Sequence, residues 1–151
     1  MREVIISDTS CLITLARIGE LELLERLYHH VWITPVVARE YGGGLPDWIG
    51  IKEVKDKSRQ LYFESILDPG EASTIALALE IPNCMVIIDE IKGRKIAREN
   101  NIPVIGLLGI LIQAKKQGLF PEIRPKLELL HKLGFRFSSQ LEQTILQMAD
   151  E

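Results

Sequence analysis

Residues 86–111 read VIIDEIKGRKIARENNIPVIGLLGIL, and the order of their parts decides the fold class. A short apolar run, Met85 to Ile88, ends in two acids, Asp89 and Glu90. A helical pattern follows from Ile91 to Asn100. A second apolar run, Pro103 to Ile105, leads into another helix, Leu107 to Gln117, which Gly118 closes. Strand, helix, strand, helix is the order of a βαβ unit, whose two strands lie parallel. Both runs are apolar without alternation, as expected of strands covered on both faces.

The same grammar extends toward the start of the chain. Val4–Ile6 and Val31–Ile33 are further short apolar runs. Between them Leu12, Leu15 and Ile18, then Leu21, Leu24 and Leu27, mark two helices interrupted at Gly19. Thr34 and Pro35 open a short helix, VVAREY, with a capping residue and a proline at the first helical position. Gly42, Gly43 and Gly44 stop it, and Leu45 to Asp56 reads as a loop or irregular crossover. Asp68-Pro69-Gly70-Glu71 opens a strong helix, ASTIALALE. Pro125 to Leu133 forms another, closed by Gly134. In the tail, Ser139 and Glu142 have capping-box spacing before LEQTILQM. The expected architecture is α/β: a three-layer α/β/α sandwich around a central, mainly parallel sheet of four to five strands. Residues 1–151 read as one domain, without repeats, low-complexity segments or linkers.

Composition narrows the class. The chain has 151 residues, 46% of them apolar, enough for a core that needs no disulfide or metal to hold it. Lys and Arg number 18 against 21 Asp and Glu, a net charge of −3, which is not the footprint of a protein that coats nucleic acid with a basic face. Cys11 and Cys84 show no metal-ligand spacing and read as small buried residues in a reducing compartment, with their pairing left open. The apolar run in MREVIISDTS is too short for a signal peptide, and no segment is long enough to span a membrane. A cytoplasmic protein is expected.

Acids then stand out by position. In open parallel sheets, ligands collect at the carboxyl ends of the strands. Asp8 follows the first strand, and Asp89 and Glu90 follow the strand that begins at Met85. Glu40 lies near the end of the short VVAREY helix, and Glu71 in the first turn of the helix opened by Asp68. Burying clustered carboxylates unpaired is costly, and a hard divalent cation, Mg2+ or Mn2+, resolves that cost. Such an ion can activate water and stabilise charge on a phosphodiester. Each acid also has a plainer reading. Asp8 could cap the next helix, as Ser10 could. Asp68 and Glu71 fit a cap with its reciprocal partner. Glu40 could be an exposed helix residue, and Asp89 and Glu90 compete for one ligand role. Thr9 and Ser10 could bond the carboxylates, a water or only the helix end. Lys92, Arg94, Lys95 and Arg98 could be a solvated face or phosphate contacts. Arg94 leads that group, because Gly93 before it would let a substrate backbone approach. His29, His30 and His131 show no ligand pairing.

With these residues in place, the chain resembles the PIN-domain ribonucleases. IISDTSCLITLARIG is similar to their first motif, an apolar strand ending in Asp and hydroxyl residues. ITPVVAREY resembles the second, DPGEASTIALALE the third acidic position, and the stretch from Val86 the fourth acid region. The likeness runs from about Val4 to Leu133. The GEA helix, the Asp-Glu pair, GLLGIL and GFRFS resemble a branch linked to VapC-type toxins of toxin–antitoxin pairs. The resemblance implies Mg2+- or Mn2+-dependent cleavage of RNA by Asp8, Glu40, Glu71 and Asp89. It also implies a small antitoxin as partner and a homodimer. Two features depart from the wider family: Glu71 stands where many members have Asp, and Ile87-Ile88-Asp89-Glu90 lacks the usual Thr.

Other acid-bearing α/β folds fit less well. A receiver domain needs an acid pair at its first strand and a Lys after its last, but no Lys follows Ile105 until Lys115. A haloacid-dehalogenase-type phosphatase needs Asp-x-Asp where this chain has Asp8-Thr9-Ser10. The rival of a different class is a PIN-like module with a silent site, which binds RNA or a protein without cutting.

Overall fold

The computed structural model describes residues 3–151. Five short strands form one sheet: β1 (Val4–Ser7), β2 (Val31–Ile33), β3 (Ile49–Ile51), β4 (Cys84–Ile87) and β5 (Val104–Ile105). Their order is β3-β2-β1-β4-β5, and every pairing is parallel. β1 lies at the centre, in register with β4 from Val4↔Cys84 to Ser7↔Ile87. The chain steps from β1 to β2 on one side and from β4 to β5 on the other. The topological switch, where such sheets bind ligands, therefore lies between β1 and β4.

Helices cover both faces, giving the expected three-layer α/β/α architecture. Along β1 and β4 successive side chains point to opposite faces. Ile5 and Ile87 enter one core with Leu12, Leu15, Leu24, Val37, Ile110, Leu111 and Leu127. These come from α1 (Thr9–Arg17), α2 (Leu23–Tyr28), α3 (Pro35–Tyr41), α7 (Leu107–Lys116) and α8 (Arg124–Lys132). Ile6, Val86 and Ile88 enter the other core with Phe63, Ile75, Leu77 and Ala97. These come from α4 (Lys57–Glu64), α5 (Pro69–Ala78) and α6 (Ile91–Glu99). Helix α9 (Ser139–Met148) adds Ile145 to the first core. Cys11 and Cys84 are free and buried in separate cores.

Two local readings of the sequence are corrected, and one helix is added. The stretch Leu45–Asp56 is not only loop: Ile49–Ile51 pairs with β2 as an edge strand. Gly50, which argued for a loop, is there because Trp32 of the neighbouring strand covers it. A Cβ at Gly50 would come within 2.5 Å of the Trp32 ring. Lys57–Glu64 forms a helix that the sequence pattern did not mark, since only Phe63 in it is buried. At α9 the cap is Ser138, not Ser139: its hydroxyl accepts from Leu141 N at 3.0 Å. Glu142 therefore sits one place beyond the reciprocal capping position, and it faces His131 Nε2 at 3.6 Å instead.

Candidate active site

The strand β1 ends at Ser7, and Asp8 turns the chain into α1. Asp8 Oδ1 accepts from the Cys11 amide at 3.2 Å and Oδ2 accepts from the Ser10 hydroxyl at 3.2 Å. The Asp8 amide donates to Ile87 O at 3.0 Å, tying the residue to the end of β4. Asp8 is thus a helix cap, yet it is only 1% exposed. Burial pushes its carboxyl up to about 7, with nearby Asp89 adding to the rise against the Cys11 and Ser10 hydrogen bonds. A residue that only capped a helix would favour solvent, where the charge costs little.

Glu71 lies opposite, in the first turn of α5. Asp68 caps that helix, its Oδ1 accepting from the Glu71 amide at 2.9 Å. The reciprocal half of a capping box is not made by Glu71 Oε2, which is buried without a hydrogen-bond partner among the described residues. Burial first, then the charges of Asp68, Glu90 and Asp8, push the Glu71 carboxyl up to about 8. Gly93 on α6 is what admits this side chain. A Cβ there would lie 3.0 Å from Glu71 Oε2 and 2.8 Å from Ile88 Cγ2. This overturns the expectation that Gly93 opens a path for substrate; it makes room for an acid.

Glu40 reaches the same place from the last turn of α3. Its Oε1 accepts from the Thr9 hydroxyl at 2.5 Å, while the residue stays exposed. Gly70 permits the approach, since a Cβ would collide with Glu40 Oε1 and lie 2.9 Å from Thr9 Oγ1. Thr34, the α3 cap, bonds Ser73 of α5 at 2.6 Å and so holds the two helices in register. The result is a cleft of about 260 Å3 lined by Asp8, Thr9, Ser10, Glu40, Asp68 and Glu71.

The fourth acid divides. Asp89 does not line this cleft; its Oδ1 accepts from the Leu107 amide at 3.2 Å and so caps α7 from a neighbouring hollow. Glu90 instead turns toward α5. One carboxylate oxygen each from Asp68, Glu71 and Glu90 fall within 4.8 Å of one another. Asp68, which sequence reading left as a cap, joins the acids because the first turn of α5 carries it beside Glu71. Thr9 and Ser10 direct their hydroxyls at carboxylates. Arg94 lies in the Asp89 hollow, and exposed Lys92 lines neither space.

Chemically, the cleft gathers hard oxygen donors with an orphaned buried carboxylate oxygen and two raised acids. Such a donor set fits a divalent cation, which would supply the missing counter-charge. A wider cavity of about 420 Å3 beside α8 and α9 offers no such set. Its one acid, Glu151, is engaged by the Ile123 amide and Lys115. No curated protein matches the chain. A family model described as DUF3368, a PIN domain, matches residues 4–151.

Proposed function

The chain belongs to the PIN-domain family, and from that membership and the acidic cleft we propose a Mg2+- or Mn2+-dependent ribonuclease that hydrolyses RNA phosphodiester bonds. The observation that carries the reading is Glu71, whose Oε2 is buried without a hydrogen-bond partner among the described residues and whose carboxylate lies within 4.8 Å of those of Asp68 and Glu90. PIN domains as a family suggest nuclease chemistry, and the acid cluster is compatible with a metal.

In this reading Asp68, Glu71 and Glu90 hold the ion, and Asp8 lines the cleft beside them as a fourth acid. A divalent ion there supplies charge to neutralise the phosphate and to acidify water. Ser10 keeps Asp8 turned into the cleft through its bond to Oδ2. Thr9 engages Glu40 Oε1, and the other carboxylate oxygen of Glu40 would take the proton of the attacking water. Asp89 acts from behind: by capping α7 it fixes the end of β4 from which Glu90 projects. The motif resemblance further supports the toxin half of a toxin–antitoxin pair, a single domain over residues 1–151, a small antitoxin partner, a homodimer and a cytoplasmic setting. No helix is long and apolar enough to cross a membrane among the described residues.

The test is cleavage of a mixed RNA pool with and without Mn2+, wild type beside Asp8→Asn. The expected result is cleavage that needs the ion and falls at least about a hundredfold in the variant. Equal cleavage by both proteins would refute the assignment of Asp8. Metal uptake and RNA binding by both, without cleavage by either, would favour the silent binding module.

A further inference from the structure

The hollow that takes Asp89 neighbours the acidic cleft and lies past the ends of β4 and β5, where Asp89 and Leu107 follow the two strands. It measures about 230 Å3 and is lined by Asp89, Arg94, Phe135, Arg136, Phe137 and neighbouring apolar residues. Its charge is the reverse of the cleft's. Neither guanidinium has an ion pair among the described residues. Arg94 Nε is buried with no acceptor among the described residues. The one acid present has an oxygen already committed to the Leu107 amide. Gly106 keeps the floor open, since a Cβ there would come within 2.6 Å of Arg94 Nη1 and 3.4 Å of Asp89 Oδ1.

The wall opposite is aromatic. Phe135 and Phe137 are half-buried rather than sealed in the core. The Phe137 ring packs against His131 with centroids 4.5 Å apart and planes inclined at 46°. Arg136, between them in sequence, is exposed and lines the hollow. Ile91, 78% exposed, forms an apolar rim. A phenyl ring beside two guanidinium groups that have no ion pair among the described residues is the donor set for a nucleotide: the base stacks and the phosphate is held by charge. The hollow is smaller than the roughly 300–1,000 Å3 pockets that enclose whole drug-sized ligands. It suits one unit of a chain whose remainder lies outside.

We propose that this hollow is a nucleotide subsite for single-stranded RNA, with Arg94 and Arg136 holding a phosphate and Phe137 stacking a base next to the cleavage point. The proposal rests on the reading of the neighbouring cleft as RNA-cleaving. It gives the enzyme a positive foothold that its net charge of −3 does not otherwise supply.

The experiment uses the full chain carrying Asp8→Asn, so that RNA is bound but not cut. A short fluorescein-labelled single-stranded RNA of mixed sequence is titrated by anisotropy with Mn2+ present, at several salt concentrations. Arg136→Ala is expected to weaken binding and to lower the slope of log K against log salt by about 0.7. Phe137→Leu, which keeps apolar volume, is expected to weaken binding about five- to tenfold with the slope unchanged. Thermal midpoints of the variants confirm that the fold is kept. Unchanged affinity in both variants overturns the subsite, as does failure of the parent to bind the RNA. Wild-type cleavage is read separately. RNA bound through Arg136 and Phe137 but never cut overturns the nuclease reading alone. RNA cut by wild type but bound equally by all variants overturns the subsite alone.

Discussion

At the residue scale, two glycines do as much for the cleft as the acids. Gly70 lies where Glu40 and Thr9 meet, and Gly93 where Glu71 is seated. Gly70→Ala is therefore the sharper probe. Helix propensity alone would favour Ala by roughly 1 kcal/mol. The added Cβ instead displaces Glu40, and overpacking costs about 1–3 kcal/mol. The expected outcome is a lower thermal midpoint and a loss of cleavage larger than the stability change explains, checked by calorimetry beside the RNA assay. Asp8 and Glu71 were legible in the sequence because strand ends and helix starts leave a local signature. The tasks of Gly70 and Gly93 were not legible, since each answers to a side chain far away in the chain. The split between Asp89 and Glu90 was likewise hidden: adjacent residues leave a strand in opposite directions, and only packing against α7 shows which one caps.

At the scale of elements, the helices were read well where burial imposed a pattern and poorly where it did not. Helix α5 has nine buried residues and was plain. Helix α4 buries one and exposes Leu61 and Tyr62 by 66% and 63%, so its period was blurred. Edge strand β3 was obscured by Pro46 and Gly50, both of which usually mark turns. The start of α9 shows the same limit at finer grain, because Ser138 and Ser139 are indistinguishable by type. Geometry separates them, as only Ser138 caps. Ser138→Ala is expected to cost about 1 kcal/mol, or roughly 2–4 °C in thermal midpoint. Ser139→Ala, at the first helical position, is expected to leave the midpoint nearly unchanged. Parallel thermal melts of the two variants decide the point.

At the scale of the whole molecule, an acidic cleft buried at the sheet's switch point ties folding to protons. The carboxyls of Asp8 and Glu71 stand at about 7 and about 8, above their ordinary 3.8 and 4.5. Between the ordinary and the raised values the folded chain keeps protons that the unfolded chain has shed. Their contribution to stability is thus fully present below the ordinary values and is lost as pH rises through about 8. The metal-free protein should melt at progressively lower temperature across that window. Mn2+ should raise the midpoint strongly at about pH 8 and little at about pH 5, where both acids hold protons. Scanning calorimetry with and without the ion checks both signs; an equal response at the two pH values would separate the ion from these carboxyls. The pairing of β1 with β4 has a further consequence, in time rather than space. Val4 pairs with Cys84 and Ser7 with Ile87, so β1 gains its β4 neighbour only when a strand far along the chain has been made. A growing chain that already holds Asp8, Glu40 and Glu71 has no assembled acid cluster until synthesis has passed Glu90.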